Sequence, residues 1–542
     1  MKISYNLLLI LCLGLFLLHL NYLYVDIMEA RNFVSAREMV EDKNWIFTTM
    51  NGEPRYQKPP LPTWLSAVMG EIFGTQSVWA LRFPAALSCV VLILFFFKFL
   101  RKETNDKNLS IISGLILTTS FLVLFVGKRA TWDIFCYSFA FIGIYYFYLT
   151  FKSEKNNFFH FTLAGLFLGF SIMSKGPTGF YVIGAPFFLA YWLTYGFPKI
   201  KWTGWVWMGF VTGIIGFSWY GYIYLNDQET FLSIMEAESS ARTNREVKPV
   251  TRYFNFPIQM GVWAVFAFIS LIFPYIKKKT EFPKPYKFFF LWTIICFVLL
   301  SLVPSKKERY LFPLMIPLTA TTGFYVYYLL QNQNWKNWEK SIVKFSFGLI
   351  GVVGILIPVL LFAIVKSEIT FYSIAFSLFS LLIGVYLLIQ TFKFDLNKAF
   401  IGMVAFVSSA MILGIPVIDS VFNNNPNHKS IITQKEMIEN SGLKLYGFDA
   451  YSPEIWFKYG KVIPEIYPND STSHPKEVSF YLISIKNKSP EEIEKELMKL
   501  GYNCQYWGEF DDNEEKLGTK NNVDRKKMML FKAFKFQYES FN

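Results

Sequence analysis

The chain has 542 residues, 53% hydrophobic and 19% aromatic, with 17% charged and a mean hydropathy of +0.31, whereas a soluble domain carries about 25% charged residues. Apolar stretches such as residues 5 to 25 are long enough to cross a bilayer, so the composition excludes an ordinary soluble protein and gives a polytopic α-helical membrane protein. The net charge of +13 is not a nucleic-acid footprint: residues 421–542 hold 17 Lys and Arg against 18 Asp and Glu, so the whole excess lies between apolar runs, where cytoplasmic loops gather Lys and Arg.

Apolar runs bounded by charge, Pro or Gly predict about 13 spans. They lie near residues 5–25, 79–97, 108–126, 134–151, 159–173, 178–196, 203–225, 256–276, 287–304, 311–330, 342–365, 370–392 and 398–418. The first is longer than the apolar core of a signal peptide and no small-residue cleavage site follows it, so it is expected to stay uncleaved. With the N-terminus in the cytoplasm, Lys98, Arg101, Lys102 and Lys107 fall on the inner side. Lys152 and Lys155, Lys199 and Lys201, Lys277 to Lys287, Lys336 and Lys340, and Lys393 and Lys398 follow there. An odd number of spans then leaves the C-terminal part outside. Cys12, Cys89, Cys136, Cys296 and Cys504 show no disulfide spacing.

Three outward segments exceed minimal loops. Within the first, residues 26–78, Leu61, Trp64, Leu65, Val68, Met69 and Ile72 repeat at helical spacing and predict an amphipathic helix in the interface plane; Phe33, Ala36 and Val40 predict a second. The next, 226–255, reads as a loop. The third, 421–542, reads as a small α/β domain: 477–485 and 527–536 read as strands, and Ser489, Pro490 and Glu492 open a helix with a capping box.

The informative charges are those on the outward face, beside span ends, where the orientation rule does not call for them. Asp26 and Glu29 open a helix, either as acids complementing its dipole or with one of them as a general base at the membrane surface. Lys128, Arg129 and Asp133 occupy a tight turn between spans, where Asp133 either caps the next helix or acts in a site. Arg55, Gln57, Lys58, Pro59 and Pro60, with Arg82 beyond, hold Lys58 on a stiff backbone, as a snorkelling lysine or a ligand for phosphate. Ser305, Lys306, Lys307, Glu308, Arg309 and Tyr310 put three cations on the outer face, suited to a phosphate dianion or pyrophosphate. Lys175 before Gly176 and Pro177 is a further outward cation, or an ordinary helix end.

Acids and cations gathered at one membrane face suit sugar transfer from a lipid phosphate. A carboxylate activates an acceptor hydroxyl, the sugar carbon is attacked, and Lys and Arg stabilise the departing phosphate. A transporter of lipid-linked glycans is the alternative. It calls for ionisable groups near the bilayer midplane and repeated halves, whereas these charges cluster at span ends and no repeat is detectable.

Met28-Glu29-Ala30-Arg31-Asn32-Phe33 through Ala36-Arg37-Glu38-Met39, Asn51-Gly52-Glu53-Pro54, Lys58-Pro59-Pro60 and Leu81-Arg82-Phe83-Pro84 resemble the first third of the aminoarabinose lipid A transferases. These ArnT-like proteins stand with the protein O-mannosyltransferases among the GT-C glycosyltransferases. Lys175-Gly176-Pro177 and Arg309-Tyr310 with Pro313 match further motifs in the same order, so the resemblance covers roughly residues 1 to 420. It implies a GT-C transmembrane domain over 1–420, an extracytoplasmic domain over 421–542, a bacterial inner-membrane location, and inverting transfer from a polyprenyl-phosphate sugar to a lipid A, glycan or protein acceptor. Carried over by motif, Glu29 and Asp133 are the acidic pair, with Asp26 as the alternative base because the usual Asp-Glu is Met28-Glu29 here. Lys58, Arg309 and Tyr310 hold donor phosphate, in company with Arg82, Arg129, Lys175 and Lys306. Glu236 and Glu238, with Arg242, either face the acceptor or belong to a solvated loop. The sequence requires no cofactor, and Gln57 in place of the usual acid leaves a divalent metal without support.

Overall fold

Long apolar runs satisfy their own backbone hydrogen bonds as helices, the arrangement that a bilayer demands. A computed structural model describes residues 4–153, 157–199, 201–244, 247–332, 334–519 and 522–535, the side chains of 241–244 excepted. Lys155, the Arg242 side chain and residue 536 lie outside the described residues. Among those described, nine helices are long and apolar enough to cross a membrane, or ten with one bent pair counted as a span. Two shorter apolar helices, Tyr5–Leu17 and Phe180–Tyr195, accompany them. By contact the chain divides into two units: Met1–Tyr22, Tyr56–Ser66 and Trp79–Val417, and then Leu23–Arg55, Ala67–Val78 and Ile418–Asn542.

The first unit is helical. Its helices approach closely where side chains are small, as helices in lipid do. A Cβ on Gly165 would stand 2.7 Å from the Met208 carbonyl oxygen, and one on Gly169 would stand 2.7 Å from Ile215 Cβ, so helices Phe158–Lys175 and Trp202–Asn226 touch along this pair of glycines. Helices Asn337–Val359 and Phe371–Phe392 meet in the same way, with a Cβ on Gly384 falling 2.7 Å from the Gly351 carbonyl.

Three elements depart from the expected runs. The run at 5–25 is helical only over Tyr5–Leu17, because His19 takes φ 57°, a conformation that ends a right-handed helix. The run at 108–126 breaks into Lys107–Thr118 and Phe121–Gly127, bent by 65°; Thr119 and Ser120 return their hydroxyls to the Leu115 and Ile116 carbonyls at 2.7 and 2.6 Å. The segment 226–255 is not a loop, since Gln228–Asn244 forms a helix. Its Phe231, Leu232, Ile234 and Met235 are too sparse for a span but suffice for a surface helix.

The second unit contains a four-stranded sheet in the order β3 (Leu445–Gly447), β4 (Ser479–Ile485), β6 (Lys527–Lys535), β5 (Tyr502–Asp511); β3 and β4 are parallel and the other pairs antiparallel. Phe480, Leu482 and Phe531 from the sheet pack with Ile493 and Leu497 of helix Pro490–Lys499. The capping box is present: Ser489 N–H donates to Glu492 Oε2 at 2.9 Å, and Glu492 N–H to Ser489 Oγ at 3.3 Å. The same unit takes in helix Ile27–Glu41 and a hairpin, β1 (Thr49–Met50) and β2 (Glu53–Pro54). Asn51 at φ 58° and Gly52 at φ 81° make its turn, the left-handed pair that hairpins favour.

That helix is enclosed on all sides over Asn32–Met39 instead of lying on one face. Buried Arg37 donates to the Trp456 carbonyl at 2.8 Å, and the Phe33 ring meets Phe457 at 5.2 Å. Glu38 gathers the hairpin through Thr49 Oγ1 at 2.6 Å and the N–H groups of Asn51 and Gly52 at 2.7 and 3.2 Å. Asn51 in turn exchanges two hydrogen bonds with the Ile463 backbone, at 2.7 and 2.9 Å. All five cysteines are free and buried.

Candidate active site

Asp133 stands in the first turn of helix Trp132–Lys152 and is 2% exposed. Thr131 holds the cap position, so the Asp133 carboxylate is not spent on capping. It lies between two cations from distant parts of the chain. Lys175 Nζ donates to Oδ1 at 2.6 Å and Arg309 Nε stands 3.4 Å from Oδ2. Lys175 is the last residue of its helix, where Gly176 turns the chain at φ 69°, so the helix-end reading holds and the same end aims the ammonium at Asp133. Arg309 and Tyr310 sit in the 3-10 turn Glu308–Leu311, just before helix Phe312–Gln331.

Aromatic faces complete the setting of the two cations. Lys175 Nζ lies 4.7 Å from the centre of the Tyr310 ring and 5.6 Å from that of Tyr137, and the Arg309 guanidinium carbon is 5.7 Å from the Tyr310 ring. Such cation–π contacts hold a charge in place without neutralising it. Tyr137, one helical turn after Asp133, escaped sequence reasoning, although the spacing of four residues on one helix face was visible in it.

Lys58 reaches Glu238 Oε1 at 3.4 Å and also acts electrostatically on Asp133. Its backbone is held from both sides. Tyr56 donates to Asp227 Oδ2 at 2.8 Å and packs its ring 6.1 Å from Trp219; Pro59 and Pro60 lead into helix Leu61–Phe73. Counting Asp133 and Glu238 against Lys58, Lys175 and Arg309, the group keeps one positive charge in excess, an arrangement that attracts an anion. Glu238 is half-buried on helix Gln228–Asn244, and Glu236 on the same helix is exposed.

The other cations singled out in the sequence hold different contacts. Lys306 is 1% exposed and donates to the Lys248 and Val303 carbonyls at 3.1 and 2.6 Å. Arg82 is buried and donates to the Leu20 carbonyl at 2.7 Å. Arg129 lays its guanidinium 4.7 Å from the Phe125 ring centre. Lys128 donates to the Leu15 and Leu18 carbonyls, which are the orphan acceptors at a helix end. Glu308 is taken by Arg252 at 2.5 Å and by Gln259 at 3.1 Å.

In the second unit Asp26 is the cap of helix Ile27–Glu41, accepting from the Met28 and Glu29 N–H groups at 2.8 and 3.0 Å. Glu29 follows in the first turn and is fully buried. Asp26 therefore does local structural work at this helix start. Among the described residues no three His, Cys, Asp or Glu side chains are grouped as a metal would need.

The chain is similar to known proteins in sequence and in fold. A family model described as dolichyl-phosphate-mannose-protein mannosyltransferase matches residues 57–222, a stretch that holds Lys58, Asp133 and Lys175. The undecaprenyl phosphate-alpha-4-amino-4-deoxy-L-arabinose arabinosyl transferase of Shewanella sediminis is 23% identical over 299 residues, 54% of this chain and 53% of that one. Its counterpart in Wigglesworthia glossinidia brevipalpis is 23% identical over 355 residues, 64% and 61% of the two chains. The crystal structure of ArnT from Cupriavidus metallidurans bound to undecaprenyl phosphate superposes with a TM-score of 0.68, at 15% identity, over 97% of both chains. This chain shares the fold of that ArnT structure. An uncharacterized protein of Aquifex aeolicus is 27% identical over 286 residues, 52% of this chain and 55% of its own. The chain spans about half the length of the curated relatives it matches first.

Proposed function

We propose that this ArnT-like protein is a glycosyltransferase of the bacterial inner membrane that moves a sugar from a polyprenyl-phosphate donor to a lipid A, glycan or protein acceptor, with inversion at the sugar carbon. The observation that carries the reading is the Asp133, Lys175 and Arg309 cluster, with Lys58 adding to its field. The acceptor hydroxyl attacks the anomeric carbon while the bond from that carbon to the phosphate oxygen breaks. The electron pair leaves with the polyprenyl phosphate, and the acceptor proton goes to a carboxylate.

In this account Lys58, Lys175 and Arg309 stabilise the phosphate dianion, and Asp133 keeps Lys175 and Arg309 aligned. Glu29 takes the proton, and Asp26 fixes the turn that presents it. Tyr310 supports both cations, and Glu238 lies on the acceptor side. Arg82 and Lys306 brace the surrounding backbone, and Arg129 lies against the Phe125 ring. The proposal includes about 13 spans, an inward N-terminus, a transferase domain over residues 1–420 and an outward domain over 421–542.

The test is Glu29→Gln in proteoliposomes loaded with polyprenyl-phosphate sugar. Transfer is expected to fall by more than about a thousandfold, as for loss of an essential acid–base group, with polyprenyl phosphate binding unchanged. Full transfer by this variant moves the base to Asp26 or Asp133.

A further inference from the structure

A cavity of about 700 Å³ opens at the far end of the membrane helix that carries Arg82. It is lined by Lys98, Arg101 and Lys102 from helix Val78–Thr104, by Tyr5 and Phe97, and by Tyr145 of helix Trp132–Lys152. At helical rise, Arg82 and Arg101 are roughly 28 Å apart, close to the thickness of a hydrocarbon core. Tyr145 likewise lies 12 residues beyond Asp133 on helix Trp132–Lys152, roughly 18 Å along it. The cavity therefore belongs to the membrane face opposite the Asp133 cluster.

Three cations at spacings of three and four residues share one helix face, and their charge is not answered by the acids nearest in sequence. Glu103 is taken by Tyr148, Tyr195 and Lys152. Asp106 caps the next helix through the Leu109 N–H at 2.7 Å and accepts from Tyr327 at 3.0 Å. Among the described residues none of the three cations has an ion-pair partner. The apolar wall is aromatic: the Tyr5 and Phe97 rings lie 4.9 Å apart, and the Lys98 ammonium stands 4.9 Å from the Phe95 ring centre. Basic side chains at headgroup depth beside aromatic rings match a phosphate whose ester continues into a hydrocarbon tail.

We propose that this cavity binds the phosphate headgroup of an anionic phospholipid, independently of the transfer chemistry at the opposite face. The test is native mass spectrometry of the purified full chain in detergent, titrated with phosphatidylglycerol and with phosphatidylcholine of the same acyl chains. The unmodified chain is expected to bind phosphatidylglycerol at least about tenfold more tightly, given roughly 1 kcal/mol per basic residue at an anionic lipid. That preference should vanish in K98Q/R101Q/K102Q and persist in K277Q/K278Q/K279Q, a second basic cluster outside the cavity. Inorganic phosphate at matched concentration should leave the lipid bound; displacement by it would reassign the cavity to a free phosphate. A preference that survives the cavity variant, or falls equally in the control, overturns the site. If the triple variant does not fold, Arg101→Gln carries the same test with an expected loss of about fivefold.

Discussion

Lys175 Nζ and Asp133 Oδ1 are 2.6 Å apart although 42 residues separate them in the chain. Two helix termini, the end of Phe158–Lys175 and the start of Trp132–Lys152, therefore meet through one ion pair. Because Arg309 approaches the other oxygen of the same carboxylate, Asp133 organises both cations, and its loss should separate two effects. Asp133→Asn should lower transfer at least about a hundredfold and leave polyprenyl phosphate bound as tightly or more tightly, since a negative charge has left a phosphate site. Arg309→Gln should weaken that binding about tenfold or more. Equilibrium binding of labelled polyprenyl phosphate to both variants checks the pair, and the reverse order contradicts the assignment.

Lys58 pairs with Glu238 at 3.4 Å, both partly exposed, so the pair itself adds little stability. Lys58→Ala should leave the melting temperature within a degree or two and weaken donor binding about tenfold. Salt should weaken donor binding to the unmodified protein more steeply than to the variant, because a screened contact has been removed. Titration of donor at two ionic strengths measures this.

Much of this was legible in the sequence, and the residues show why. Lys58, Lys175 and Arg309 stood out because cations on a side expected to face outward run against the orientation rule, and each lies at a helix end near Pro or Gly; Asp133 stood out as an acid in a tight turn between apolar runs. Their mutual pairing was not legible, since nothing in local spacing brings residue 133 to 175 and 309. Lys306 and Arg82 were expected to be outward charges of the same kind, and in the structure both donate to backbone carbonyls, a use of cations that leaves no mark in sequence. The association of helix Ile27–Glu41 with residues near 456 and 463 was hidden for the same reason. Amphipathic spacing revealed a helix, but not that Arg37 and Asn51 would bond to backbone more than 400 positions away.

That association makes a stability prediction. Arg37 is wholly buried, donating to Trp456 and lying 3.4 Å from Glu38. Removing one partner of such a buried group costs about 3–5 kcal/mol. Arg37→Ala should lower the apparent Tm of the detergent-solubilised chain by several degrees and expose residues near 456 to protease. Asn51→Ala should do the same to a smaller extent, about 1–3 kcal/mol for two lost hydrogen bonds. Limited proteolysis read by mass spectrometry locates the loosened segment.

Glu465 gives a pH prediction. Burial pushes its carboxyl up to about 7; the Ala450 N–H, donating at 2.8 Å, and the Asp449 backbone oppose the rise, and the Asp449 charge adds to it. Between pH 4.5 and about 7 the folded carboxyl keeps a proton that the unfolded chain has released, so this group's contribution to stability falls as pH rises through that window. Glu465→Gln should remove that part of the slope and leave the full chain more stable than the unmodified protein at pH 8. Thermal melts of both proteins from pH 4.5 to 8 decide it, and parallel profiles contradict the assignment.

The most direct test of the transferase account is mass spectrometry of envelope lipids, glycans and secreted proteins from cells with and without the gene, including the polyprenyl-phosphate sugar pool. The account predicts that one acceptor loses a sugar while its lipid-linked donor accumulates, and that a gene encoding Asp133→Asn fails to restore the modification. Acceptors that keep every sugar, with a lipid-linked species redistributed between leaflets, would contradict it and make the protein a transporter.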